Sequence, residues 1–112
     1  MRITPLLALL FFLAAASQAA AATKVDVSET EFKITLPKNT LAAGSYSFEV
    51  KNDGKIEHDL VVEGNGVHKK TPLIEAGKTA TLKVDLKPGT YDVYCSVPGH
   101  KQAGMDLKLT VS

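Results

Sequence analysis

Tyr91-Asp92-Val93-Tyr94-Cys95-Ser96-Val97-Pro98-Gly99-His100-Lys101-Gln102-Ala103-Gly104-Met105-Asp106-Leu107-Lys108-Leu109-Thr110-Val111 is the stretch on which the reading of this chain turns. Both of its ends alternate. Tyr91, Val93 and Cys95 fall on one side of an extended chain, and Leu107, Leu109 and Val111 on one side of another. Period-2 patterning is that of a β-strand with one buried face. The middle must reverse the chain. Pro98 fixes one φ angle and Gly99 permits an unusual one, so the loop can turn back on itself. A strand ending in Cys95, a loop carrying His100 and Met105, and a returning strand are therefore expected.

The same alternation spreads outward. Phe32-Lys33-Ile34-Thr35-Leu36, Tyr46-Ser47-Phe48-Glu49-Val50 and Leu82-Lys83-Val84-Asp85-Leu86 each read as half-buried strands, and Leu60-Val61-Val62 as a short apolar one. A weaker first strand is expected around Lys24 to Val27. Turn residues separate them: Pro37-Lys38-Asn39, Asn52-Asp53-Gly54, Glu63-Gly64-Asn65-Gly66, Glu75-Ala76-Gly77-Lys78 and Lys87-Pro88-Gly89. No stretch sustains a 3.6-residue period over helical length, and at most one helical turn is expected between Leu73 and Ala80. This is an all-β chain, a sandwich or small barrel of short strands.

The chain has 112 residues. Residues 1–22 have the order of a cleaved secretory signal peptide: Arg2, an apolar run from Leu6 to Ala16, then small residues around Ala19 to Ala22. That run is short for a membrane crossing, which needs roughly 20 residues. Residues 23–112 form one domain with one modest core. Without Arg2, 12 lysines face 12 acidic residues. A net charge near zero exerts no long-range pull on nucleic acid or anionic membrane, and the longest basic run is Lys69-Lys70. An exported location, the periplasm foremost, follows from the leader.

One cysteine is present. Exported domains of this size often use disulfides, and a single thiol cannot form one internally. It is a buried small hydrophobe, half of an intermolecular disulfide, or a metal ligand. Taken singly, Cys95, Met105, His58 and His100 each have an ordinary structural reading. Their conjunction favours the third role. His58 precedes the Leu60-Val61-Val62 strand, Cys95 ends another, and His100 and Met105 share the loop that follows. Two imidazoles, a thiolate and a thioether form a set suited to copper, with Met as a weak axial ligand; Met is an uncommon ligand for zinc. His68, in the polar loop region Gly66-Val67-His68-Lys69-Lys70, is not needed and reads as a solvated side chain.

With these residues in place, the sequence resembles the cupredoxins, the small blue copper proteins. The resemblance runs from about Phe32 to Val111. Its most specific parts are Tyr94-Cys95-Ser96-Val97-Pro98-Gly99-His100 with Gly104-Met105, and Phe48-Glu49-Val50-Lys51-Asn52-Asp53-Gly54 followed by His58-Asp59-Leu60-Val61-Val62. It implies a Greek-key β-sandwich of about 7–8 strands. It implies one copper ion cycling between Cu(I) and Cu(II), with His58 and His100 as nitrogen ligands, Cys95 as thiolate and Met105 as axial thioether. The implied activity is one-electron shuttling without catalysis or a small-molecule substrate. Transient protein redox partners would dock near His100, beside Pro98, Gly99 and Ala103, with Lys101 as a steering charge, and the carrier would be a monomer whose mature chain does not enter a membrane. Backbone amides of Val97–His100 would donate to the sulfur. The chain departs from the pattern at Asp59, where relatives often carry Asn, and at Leu107, where many carry Gly. Four residues separate Cys95 from His100, and four separate His100 from Met105, a spacing that favours no single subfamily. The rival reading with the same ligands is a periplasmic copper chaperone or storage protein; a fold-only accessory module is disfavoured by the full ligand set.

Overall fold

A computed structural model describes residues 21–112. Apart from Ala21 and Ala22, the leader-like segment 1–22 lies outside the described residues. The strands are β1 (Thr23–Thr30), β2 (Lys33–Thr35), β3 (Thr40–Leu41), β4 (Gly44–Asn52), β5 (Val61–Gly64), β6 (Val67–Lys70), β7 (Thr79–Leu86), β8 (Gly89–Tyr94) and β9 (Asp106–Val111), with a short helix α1 (His100–Ala103) between the last two. They form two sheets, in the orders β2-β1-β4-β7 and β3-β9-β8-β5-β6. β1 runs parallel to β4 and β3 parallel to β9; the remaining neighbours are antiparallel. The chain changes sheet after β2, β3, β4, β6 and β7, the interleaved connectivity of a Greek-key sandwich.

Alternation explains the core. Tyr46, Phe48 and Val50 of β4 point inward, as do Leu82, Val84 and Leu86 of β7 and Tyr91 and Val93 of β8. Phe48, Val50, Leu60, Val62, Tyr91, Val93 and Leu109 have no exposed surface. Each large apolar side chain so buried contributes roughly 1.5–3 kcal/mol relative to exposure. The inner faces of two sheets thus supply the driving force, and the loops at one pole are left to carry the site.

Three expectations change. The polar stretch Gly66–Lys70 is not a loop: Val67–Lys70 is an edge strand, β6, paired with β5. Asn65 (φ 50) and Gly66 (φ 79) form the two-residue turn between them, the Asn-Gly hairpin that suits strand twist. Its charged, exposed side chains hide the alternation and keep the edge from pairing with other chains. With tiny β3 it brings the count among the described residues to nine strands. Leu73 to Ala80 holds no helical turn; Ile74 makes a two-residue bridge with His58, and the chain turns at Gly77 (φ 78) into β7. The helix lies instead in the cysteine loop, and at four residues it is too short to leave a periodic signature.

Candidate metal centre

The β8–β9 ladder places two of the candidate residues. Its last pair is Tyr94 with Asp106. One step beyond, the Cys95 amide donates to the Met105 carbonyl at 3.1 Å, so Cys95 and Met105 face each other across the ladder's end. Cys95 continues the inward face of Tyr91 and Val93, and Met105 that of Val111 and Leu109. Both are fully buried. Between them the loop tightens. The His100 amide donates to Val97 O at 3.0 Å and the Met105 amide to His100 O at 3.1 Å. Gly99 (φ 83) and Gly104 (φ 132) bracket α1 in backbone conformations that favour glycine.

His58 arrives from the other side. Its amide and carbonyl bridge Ile74 at 3.2 and 2.7 Å, which sets the ring inward with no exposed surface. Buried Asn52 braces this loop, its amide donating to Ile56 O and Ile74 O at 2.7 and 2.8 Å.

The three donor atoms converge. His58 Nδ1 and His100 Nδ1 are 3.1 Å apart, and Cys95 Sγ lies 3.9 and 3.6 Å from them. Donors at about 2.0 Å (nitrogen) and 2.3 Å (sulfur) around one ion have separations of this size. The described residues hold no other group of three such side chains so arranged, and all three are buried. The residues present therefore fit a single ion, and buried Met105 brings a thioether to the same pole.

Burial disfavours the charged forms of both Cys95 and His100. Burial pushes the Cys95 thiol up to about 11, against the opposing pull of the Asp59 and Val97 amides; the Asp59 N–H donates to Sγ at 3.4 Å. The sulfur donor at hydrogen-bonding distance thus comes from the histidine side, from Asp59, while the Val97 amide of the loop adds a lesser pull. Desolvation, and then the neighbouring His58, holds the His100 imidazole below its ordinary value. The Asp59 carboxylate ties the two loops together. It accepts from the Ser96 amide at 2.6 Å and from the Ser96 hydroxyl, and Lys70 stands 3.8 Å away. At the position where relatives often carry Asn, the aspartate still bridges the loops.

Other side chains around the centre take definite places. Lys101 is engaged rather than free: its ammonium bonds Asp92 at 2.9 Å and lies 4.0 Å from the Tyr94 ring centroid. His68 is exposed, 3.4 Å from Glu63, as a solvated side chain should be. Glu31 and Glu29 belong to none of the sequence motifs. Glu31 accepts from His58 Nε2 at 3.0 Å and from the Lys55 and Ile56 amides at 2.8 and 3.0 Å, and those two amides are the chief cause that holds its carboxyl at about 2. Glu29 is fully buried, and among the described residues neither of its oxygens has a partner. Desolvation, then the charge of Asp59, raises it to about 8. Its signal was present: Val25, Val27 and Glu29 share one face of β1.

Phe32 lies edge-on to the His100 ring, with centroids 5.0 Å apart, and is 41% exposed. His100 itself shows only 8% of its surface. No helix among the described residues is long and apolar enough to cross a membrane.

Comparison with known proteins agrees with this architecture. No curated protein matches the sequence. Among solved structures, dithionite-reduced auracyanin from Roseiflexus castenholzii superposes with a TM-score of 0.65 at 19% identity, covering 82% of this chain and 98% of that one. Auracyanin B gives 0.67 at 21% identity, covering 81% and 89%. Auracyanin A, described as a "blue" copper protein from Chloroflexus aurantiacus, gives 0.65 at 18% identity, covering 81% and 99%. At such identities the likeness is one of fold. The sequence profile of the cupredoxin-like domain, however, matches residues 3–111, and with the sandwich and its buried His–Cys–His pole in view, the chain belongs to the cupredoxin-like domain family.

Proposed function

We propose that this chain is a type 1 copper electron carrier, with His58 Nδ1, His100 Nδ1 and Cys95 Sγ as the strong ligands and Met105 as the weak axial one. The observation that carries it is the convergence of those three donors, 3.1 to 3.9 Å apart and buried, at one pole of a rigid sandwich. Bound there, copper supplies a one-electron couple and a soft site for thiolate. The protein's part is to hold the ligands still. Cys95 and Met105 are fixed by the end of a β-ladder, His58 by its bridge to Ile74, and the loops by Asp59. Ligands held this way change little between oxidation states, which keeps electron exchange fast.

His100 is the exchange point in this reading. It keeps 8% of its surface exposed, with Phe32 against its ring and exposed Pro98 and Gly99 just before it in the chain, an apolar rim suited to brief contact with a larger redox partner. The carrier works as an exported monomer, in the periplasm, with residues 1–22 removed. It turns over no substrate. The buried ligands disfavour a chaperone, which must surrender its ion readily.

The test is the visible spectrum after adding one equivalent of copper(II) to the chain without its leader. An intense thiolate-to-copper band, bleached by reductant, restored by oxidant and lost in Cys95→Ser, is expected. Only weak absorption, unchanged by Cys95→Ser, would refute the assignment. Rapid surrender of the ion to a mild chelator would favour the chaperone.

A further inference from the structure

The β1–β2 hairpin turns in two residues, since Thr30 pairs with Lys33. Those two residues, Glu31 and Phe32, reach both imidazoles of the centre from the opposite sheet. Phe32 lies against His100. Glu31 Oε1 lies 3.0 Å from His58 Nε2, the ring nitrogen that does not face the other donors. The same oxygen accepts from Lys55 N and Ile56 N, so the carboxylate pins the loop leading into His58 as well as its ring. Two glycines make room. A Cβ on Gly54 would stand 2.3 Å from Glu31 Oε1, and one on Gly104 would stand 2.8 Å from Phe32 O.

We propose that Glu31 is a positioning residue for the metal centre, fixing the His58 tautomer and placing a negative charge behind that ligand. The claim rests on the copper reading for its redox part only. A carboxylate can only accept, so His58 must donate from Nε2, which leaves the Nδ1 lone pair for the ion. A carboxylate behind a ligating imidazole also makes it a stronger donor, and loss of such partners typically weakens metal binding about 10–100-fold. The charge favours the more positive oxidised ion over the reduced one.

Three variants separate these effects. Glu31→Ala removes both acceptor and charge, Glu31→Gln keeps an acceptor oxygen without charge, and Gly54→Ala displaces the carboxylate without altering it. In the metal-free full-length protein, nitrogen NMR of the His58 ring should show Nε2–H in wild type and a mixture of tautomers in Glu31→Ala and Gly54→Ala, with the single tautomer rescued by Glu31→Gln. In the copper form, Glu31→Ala should lose roughly 10–100-fold in copper(II) affinity. Copper(I) should lose less, and each tenfold difference raises the potential by about 59 mV. Glu31→Gln should share the rise in potential while keeping the tautomer. A wild-type tautomer in Glu31→Ala, or a potential unmoved by both Glu31 variants, overturns the proposal. Failure of the copper reading shows separately, as absence of the charge-transfer band in wild type, and the metal-free spectra still decide the positioning of His58.

Discussion

Glu29→Gln should reshape the pH dependence of folding. The Glu29 carboxyl is buried and, among the described residues, without a hydrogen-bond partner, and burial beside Asp59 raises it from 4.5 to about 8. Between those values the folded chain keeps a proton that the unfolded chain has released, so stability is fullest below the lower value and falls as pH rises towards the upper. At about 1.36 kcal/mol per unit, the gap corresponds to roughly 5 kcal/mol. Between pH 5 and pH 8 about 3–4 kcal/mol of it is lost, a large share of a small domain's total stability. Glutamine keeps the shape and cannot ionise. Its unpartnered amide adds an offset that does not vary with pH. Denaturant unfolding of the metal-free proteins at pH 5, 6, 7 and 8 reads the effect directly, because the histidines are common to both and cancel. The stability of Glu29→Gln relative to wild type should climb by about 3–4 kcal/mol across that range. A difference flat to within about 0.5 kcal/mol, the scale of ordinary surface effects, would refute the reasoning.

Other consequences follow from the same geometry. With the Cys95 thiol pushed up to about 11 by burial, the metal-free site is protonated at sulfur near neutrality, so copper uptake should release one proton from Cys95. Calorimetry in buffers of different ionisation enthalpy should detect it, and apparent affinity should rise as pH rises. Gly99 and Gly104 should differ on substitution. Gly99 (φ 83) has open space where a Cβ would stand, whereas Gly104 (φ 132) would also meet Phe32 O; Gly99→Ala should cost about 1–2 kcal/mol and Gly104→Ala roughly 1–3 kcal/mol more, by thermal unfolding. Asp59→Ala leaves the Ser96 amide without its acceptor and should cost about 1–3 kcal/mol. It should speed hydrogen exchange at Ser96, with Asp59→Asn affected less because one acceptor oxygen remains.

The sequence by itself determined the class of fold and the four candidate ligands. Alternation such as Tyr46-Ser47-Phe48-Glu49-Val50 is a local property, and a strand's two faces are set by neighbouring residues alone. Cys95, His100 and Met105 were legible for the same reason: one loop carries all three, and the ladder on either side dictates which way Cys95 and Met105 face. Edge strand β6 was hidden because its exposed Lys69 and Lys70 carry no apolar face to read, and helix α1 because four residues make barely one turn. What only the tertiary structure decided is how the centre is held. Glu31 meets His58 across 27 positions and Ser96 meets Asp59 across 37, while Glu29 comes to lie buried beside Asp59. A carboxylate's role as clamp, tether or trapped acid depends on which amides, rings and charges the packed sheets bring against it. That is settled by long-range packing; along the chain, the place of Glu29 on the inward face of β1 marks its burial but not the charge it meets.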